Sequence, residues 1–126
     1  GRRLLLWLPV ALMAGVQLWL SSRSRLPDAL SPFPGSDKLA HGGWFFLLAL
    51  LAWRAAREGE GWSRRRRLGG LLLAAALWAA IDEAHQWFVP GRAVEAADLL
   101  ADVAGAALAL SLAEGFLTGR RLVRAG

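Results

Sequence analysis

The chain contains no cysteine. Disulfides and thiolate metal sites are therefore excluded, while the redox compartment is left unfixed. Tyrosine is also absent, yet tryptophan occurs seven times. Tryptophan at the ends of apolar runs reads as interfacial belts, not as a stacking platform for bases. Acidic residues are the minority sign: ten Asp and Glu against fifteen Lys and Arg leave a formal net charge of +5. The isoelectric point is about 11.4. In a soluble domain that balance would suggest a nucleic-acid patch. Here the arginines flank apolar blocks, as membrane insertion asks of them, so no nucleic-acid partner is expected.

Apolar residues are plentiful. The 126 residues, enough for one domain, are 56% hydrophobic, with a mean hydropathy of +0.37. They gather in four long blocks, at about residues 4–20, 39–56, 68–89 and 97–117. Each is near the ~17–25 residues that a spanning helix needs. Arg2-Arg3 before the first block also suit a signal peptide. Three more blocks follow and no cleavage pattern is clear, so the first is read as a retained helix. Pro9 and Gln17 interrupt it, which neighbouring helices make tolerable. A loop with Pro27, Pro32, Pro34 and Gly35 follows. Ser36 reads as the cap of the second helix and Asp37 as a first-turn acid complementing its dipole. Gly42, Gly43 and Ala49 in the second block, and Gly105 and Ala109 in the fourth, offer small surfaces for close helix packing. Pro90-Gly91 stops the third.

Four spans predict an all-α integral membrane bundle with both termini on one side. That side carries Arg2, Arg3, Arg54, Arg57, the run Arg64 to Arg67, Arg120, Arg121 and Arg124. The other carries only Arg23, Arg25, Lys38 and Arg92. The positive-inside rule then places both termini in the cytoplasm. The arginine run reads as a topology anchor.

The stretch from Asp82 to Arg92 puts two carboxylates, a histidine and a glutamine where a membrane helix should carry none. Ionisable groups at that depth are costly and by default functional. The topology gathers three such groups at one outer level: Asp37, Lys38 and His41; Glu83, His85 and Gln86 with Arg92; and Asp98 and Asp102. Asp37 and His41 are four apart on one helical face, as are Asp98 and Asp102. Glu83 and Gln86 share a face that His85 does not, which leaves His85 at the interface beside Trp87. Lys38 and Arg92, with the positive ends of two helix N-termini, suit an anion such as phosphate or carboxylate. Asp37, Glu83, Asp98, Asp102 and His41 suit a divalent cation or acid–base work, with Glu83 or His41 as general base. A purely structural network, with Asp37 paired to Lys38 or to Arg92 and Glu83 paired to Arg92, would use the same residues.

These residues resemble those of the VanZ-like family of small bacterial multi-pass membrane proteins. The resemblance covers about residues 37–110. It is carried by Asp37-Lys38 with His41, then Glu83, Gln86, Phe88 and Pro90-Gly91-Arg92, then Asp98 and Gly105. Relatives often have Asn where this chain has Asp102, and an aromatic where it has Gly42-Gly43. The family takes its name from a member linked to resistance to the glycopeptide teicoplanin. The resemblance thus implies a compact multi-pass protein with a cell-envelope role, and leaves the mechanism open.

The expected function is an outward-facing polar pocket for an anionic envelope component, a lipid head group or lipid-linked precursor. Arg92 and Lys38 hold the anion in that reading. Asp37, His41, Glu83, Gln86 and Asp98 orient it, and Asp102 supports them. The alternatives are a hydrolase or transferase acting on a lipid phosphate, and a scaffold or partner subunit whose cluster only fixes the fold. Oligomerisation is left open. The topology has a direct check. A reporter inserted between Arg64 and Arg67 is expected to read cytoplasmic, and an outward reading would overturn the orientation.

Overall fold

The computed structural model describes residues 1–23 and 33–125. Pro27, Pro32 and Arg25, assigned above to the first connection, lie outside the described residues. Four helices follow in order: α1 over Arg2–Ser21, α2 over Ser36–Arg54, α3 over Arg64–Trp87 and α4 over Ala96–Ala125. Among the described residues there are no strands. A π-helical turn at Ala55–Gly59 extends α2. All four helices are long and apolar enough to cross a membrane, α2 and its π turn counting as one span of 24 residues.

Helix starts and stops have local causes. Gly35, at φ 83°, supplies the left-handed turn that launches α2. Ser36 is therefore the first helical residue, not the cap expected from sequence, and its side chain caps nothing. Asp37 does sit in the first turn. The Ser63 hydroxyl caps α3 by accepting from the Arg66 amide. Gly91, at φ 78°, makes the turn after α3, which ends at Trp87, two residues short of the expected Val89. The largest boundary difference is in α4. It continues past Leu117 to Ala125, because charged residues stop an apolar block without stopping a helix.

The most extensive packing is between α2 and α4, with α3 laid mainly on α4 and α1 on α2 and its π turn. The seam is made of small residues. Ala106 and Ala109 are fully buried, and Ala49 nearly so. A Cβ added at Gly105 would collide with the Gly42 backbone. Only glycine at position 105 permits this approach, the small-residue contact the sequence predicts, and a Cβ at Gly42 would press on the Ala101 carbonyl at 3.3 Å. Gly43 has open space around it and is not part of the seam. Phe45, Leu48, Leu71 and Leu110 fill the rest of the core.

Arg3 lies 3.5 Å from Glu60, and Arg67 lies 2.5 Å from Glu114. These pairs join the start of α1 to the end of the π turn, and the start of α3 to the far part of α4. Both termini therefore lie at the same end of the bundle. Arg67 is not only the membrane anchor expected of an arginine run. It is buried, and it grips Glu114 through Nε and Nη2, at 2.5 and 3.0 Å. Trp53 Nε1 donates to the same carboxylate at 2.7 Å, and Arg67 Nη1 donates to the Trp62 carbonyl. Trp53 and Trp78 thus turn inward as donors, while Trp19 and Trp87 are exposed as belt residues would be.

Breaking one side of such a pair strands the other charge. Glu114→Gln is expected to cost about 3–5 kcal/mol, read as a lower unfolding temperature in detergent micelles. Gly105→Ala, forcing α2 and α4 apart, is expected to cost about 1–3 kcal/mol, whereas Gly43→Ala should leave the unfolding temperature unchanged.

Candidate functional site

The end of the bundle opposite the termini gathers polar side chains from all four helices. Gln17 and Ser21 come from the last turns of α1, and Asp37, Lys38 and His41 from the first turns of α2. Asp82, Glu83 and Gln86 come from the end of α3, and Asp98 and Asp102 from the start of α4. The sequence reading that these three later groups converge at one depth is what the helix packing produces.

Three linked clusters make up the centre. In the outermost, Lys38 Nζ is enclosed by carboxylates: it donates to Asp98 Oδ1 at 2.5 Å, Glu95 Oε2 at 2.6 Å and Asp37 Oδ2 at 2.9 Å. Asp37, Glu95 and Asp98 have oxygens close enough together to hold a metal ion. The ammonium, however, already bonds to all of them. A divalent cation there has to displace Lys38. The same enclosure means that Lys38 is not a free cation offered to an anion.

In the second cluster, His41 Nδ1 donates to Asp102 Oδ1 at 2.9 Å. A neutral imidazole held this way presents Nε2 as its acceptor. That nitrogen points toward Asp98, 3.9 Å from Oδ2. Asp102 is fully buried, and its second oxygen, Oδ2, has no hydrogen-bond partner. Glu83 lies nearby with one oxygen tied and one free. Oε2 accepts the Glu95 backbone N–H at 3.3 Å, which pins the connection between α3 and α4. Oε1 is buried and unpartnered.

The third cluster is built around Asp82, buried to 1% exposure. Its Oδ1 accepts from Ser21 Oγ at 2.5 Å. Its Oδ2 accepts from Gln17 Nε2 at 3.1 Å and from Gln86 Nε2 at 3.2 Å. Trp78 Nε1 fixes the other end of the Gln17 amide at 3.1 Å. Asp82 therefore has neutral donors throughout, a way of holding a carboxylate without a counter-charge.

Glu83 and Gln86 both face the bundle, as their spacing predicts. His85 does not join them: it is half-buried, and its Nε2 lies 2.8 Å from the Ser22 hydroxyl. Arg92 does not pair with Glu83 or Asp37. Its side chain is half-buried and makes no ion pair among the described residues. Sequence reasoning missed Glu95, Ser21 and the closing role of Gln17. Gln17 carried a signal, as an amide inside an apolar block. Glu95 carried none, because an acid in a connection is ordinary.

Carboxylates outnumber cations in this centre, and two of their oxygens lie buried without a donor. Buried polar atoms are nearly always paired, so such exceptions call for a reason. The arrangement can receive donors from a ligand, and the His41–Asp102 pair can move a proton.

No curated protein and no solved structure matches the chain. The model of the VanZ/LLP1 family matches residues 5–117, from within the first helix to beyond the family-like motifs of the last. Four membrane-length helices, with the polar residues gathered at their common end, are consistent with that match, and the chain belongs to the VanZ/LLP1 family.

Proposed function

We propose that this protein sits in the cell membrane with both termini cytoplasmic, and that its outward polar centre binds the head group of an anionic envelope lipid or lipid-linked precursor. The observation that carries this reading is the pair of buried carboxylate oxygens without donors, Glu83 Oε1 and Asp102 Oδ2. They ask for hydroxyl, amide or ammonium donors, which sugar-bearing and amine-bearing head groups supply. The negative part of the ligand falls to Arg92, whose guanidinium fork suits phosphate and is not spent on an acid among the described residues. Lys38 has a different role from the one its charge suggests. It offsets one of the three charges of Asp37, Glu95 and Asp98, and so lessens the repulsion an anion meets there. Asp82 and Gln86 brace the wall behind Glu83. Where the bound component is a lipid-linked wall precursor, the reading extends to glycopeptide (teicoplanin) susceptibility.

One observation favours a second reading at the same centre, a hydrolase or transferase acting on a lipid phosphate. The His41–Asp102 pair leaves Nε2, 3.9 Å from Asp98 Oδ2, without a hydrogen bond and so available as general base. The balance between binding, chemistry and scaffolding is decided by two variants. Glu83→Gln and Arg92→Ala are expected to fold with nearly native unfolding temperatures. Each is expected to weaken binding of a sugar-bearing polyprenyl diphosphate in nanodiscs by roughly tenfold, the loss of one charge-assisted contact. Native affinity in both variants, with only the unfolding temperature lowered, would leave the centre a structural network. Release of inorganic phosphate that depends on His41 would move the assignment to an enzyme.

A further inference from the structure

The opposite end of the bundle holds a second, separate feature. A cavity of about 200 Å³ is lined by Arg57 from the π turn and by Leu117, Arg120, Arg121 and Arg124 from the last turns of α4. Four arginines share it with a single apolar residue, and no carboxylate lines it. Among the described residues, none of the four arginines makes an ion pair; the nearby acids are engaged elsewhere, Glu58 with Arg2 and Arg54, Glu114 with Arg67 and Arg64. Two of the four are steadied by aromatic rings: Arg57 lies over Trp53 at 5.5 Å, and Arg120 over Phe116 at 5.6 Å. Like charges placed together without a counter-charge repel one another, and an anion among them relieves that repulsion.

A second cavity, of about 340 Å³, adjoins the first and shares Arg120 and Arg124 with it. Its other walls are Phe116, Gly119 and Val123. Phe116, Gly119 and Val123 are three and four residues apart, so they form one apolar stripe of α4 beside the arginines. The basic cleft and the more apolar one have Arg120 and Arg124 in common. We propose that this end of the bundle binds an anionic glycerophospholipid from the leaflet on the side of the termini. The phosphate lies among Arg57, Arg120, Arg121 and Arg124. An acyl chain runs along Phe116 and Val123. The guanidinium forks take phosphate oxygens in pairs, which point charges would not. The site stands apart from the Glu83 centre, uses none of its residues, and does not depend on what that centre binds.

The alternative is a diffuse field, in which arginines at this end merely attract anionic lipid as a class. Two doubly substituted chains of equal charge separate the two. Arg120→Gln/Arg124→Gln removes the shared wall, whereas Arg65→Gln/Arg66→Gln removes the same charge from the start of α3. The readout is retention of phosphatidylglycerol, against phosphatidylcholine, by the full chain in native mass spectrometry. The wild type is expected to retain one phosphatidylglycerol selectively. Arg120→Gln/Arg124→Gln is expected to weaken retention roughly thirtyfold, and Arg57→Gln, on a different element, about fivefold. Arg65→Gln/Arg66→Gln should retain lipid as the wild type does. The arginines of α4 are exposed, so the unfolding temperature is expected to hold in all variants. Equal loss in the two double variants, no loss in either, or equal retention of phosphatidylcholine overturns the proposal. Displacement of the lipid by inorganic phosphate would also overturn it, by showing that the apolar chamber contributes nothing.

Discussion

A carboxylate stripped of water must find donors inside the protein, because the hydrocarbon around a membrane helix offers none. The packing of this bundle follows from that requirement. Asp82, Glu83, Asp98, Asp102 and Glu114 are all buried. Asp82, Asp98, Asp102 and Glu114 are each met by side chains from a different helix, and Glu83 by the Glu95 amide of the α3–α4 connection, so the helices cannot slide or rotate without leaving a charge unpaired. The dry seam and the polar contacts are one geometry. Gly42 follows His41, and Gly105 lies one turn after Asp102. The backbone approach that these glycines permit is what brings the imidazole within 2.9 Å of the carboxylate. A larger side chain at Gly105 would move the polar pair as well as the seam.

The two polar ends are built to different standards. At the end with the termini, both oxygens of Glu114 are engaged, Oε1 by Trp53 and Arg67, and Oε2 by Arg67 and Arg64. Nothing is left for a ligand, and the group serves as a lock. At the other end the same chemistry is left incomplete, with one oxygen of Glu83 and one of Asp102 unused. A network built only for stability gains by satisfying every member, and a half-satisfied one is worse than an apolar core. Departures from local optimality are expected where a protein does its work. The contrast between the two ends of one molecule is stronger than either observation alone, because both are made from the same helices and the same residue types.

The part of this that sequence carries is the cost of burying charge. His41, Glu83, Gln86, Asp98 and Asp102 stand out because they lie in or beside apolar blocks, and the even alternation of spans brings them to one level. Glu114 stood in an apolar block with the same signal, but its partner was hidden. Arg67 is one of four consecutive arginines, and composition cannot say which of them turns inward; only the direction of α3 relative to α4 decides it. Glu95 and Ser21 were invisible for a related reason. Each lies at a helix end or in a connection where polar residues are the rule, and their roles depend on a neighbour some sixty positions away in the chain. Ser36 misled because a serine before an acid looks like a cap, while the preceding glycine, with its left-handed backbone, is what begins the helix.

Depth links the two ends. At 1.5 Å per residue, His41 lies about 7.5 Å from the start of α2, Asp102 about 9 Å from the start of α4 and Glu83 about 6 Å from the end of α3. All three fall within roughly two turns of the helix ends, near the head-group layer and away from the bilayer midplane, where burying charge is most costly. The length of α4 accounts for the other end. Its 30 residues span about 45 Å, against a hydrocarbon thickness of about 30 Å. Since α4 begins level with the neighbouring helix ends, the excess emerges on the side of the termini. In a bilayer of that thickness, Arg120, Arg121 and Arg124 would be carried out of the hydrocarbon, to the layer where phosphates lie. A helix that stopped at Leu117 would satisfy the span and leave the arginines unplaced. By continuing, it holds them in fixed register against Arg57, which turns a generic basic flank into a shaped one.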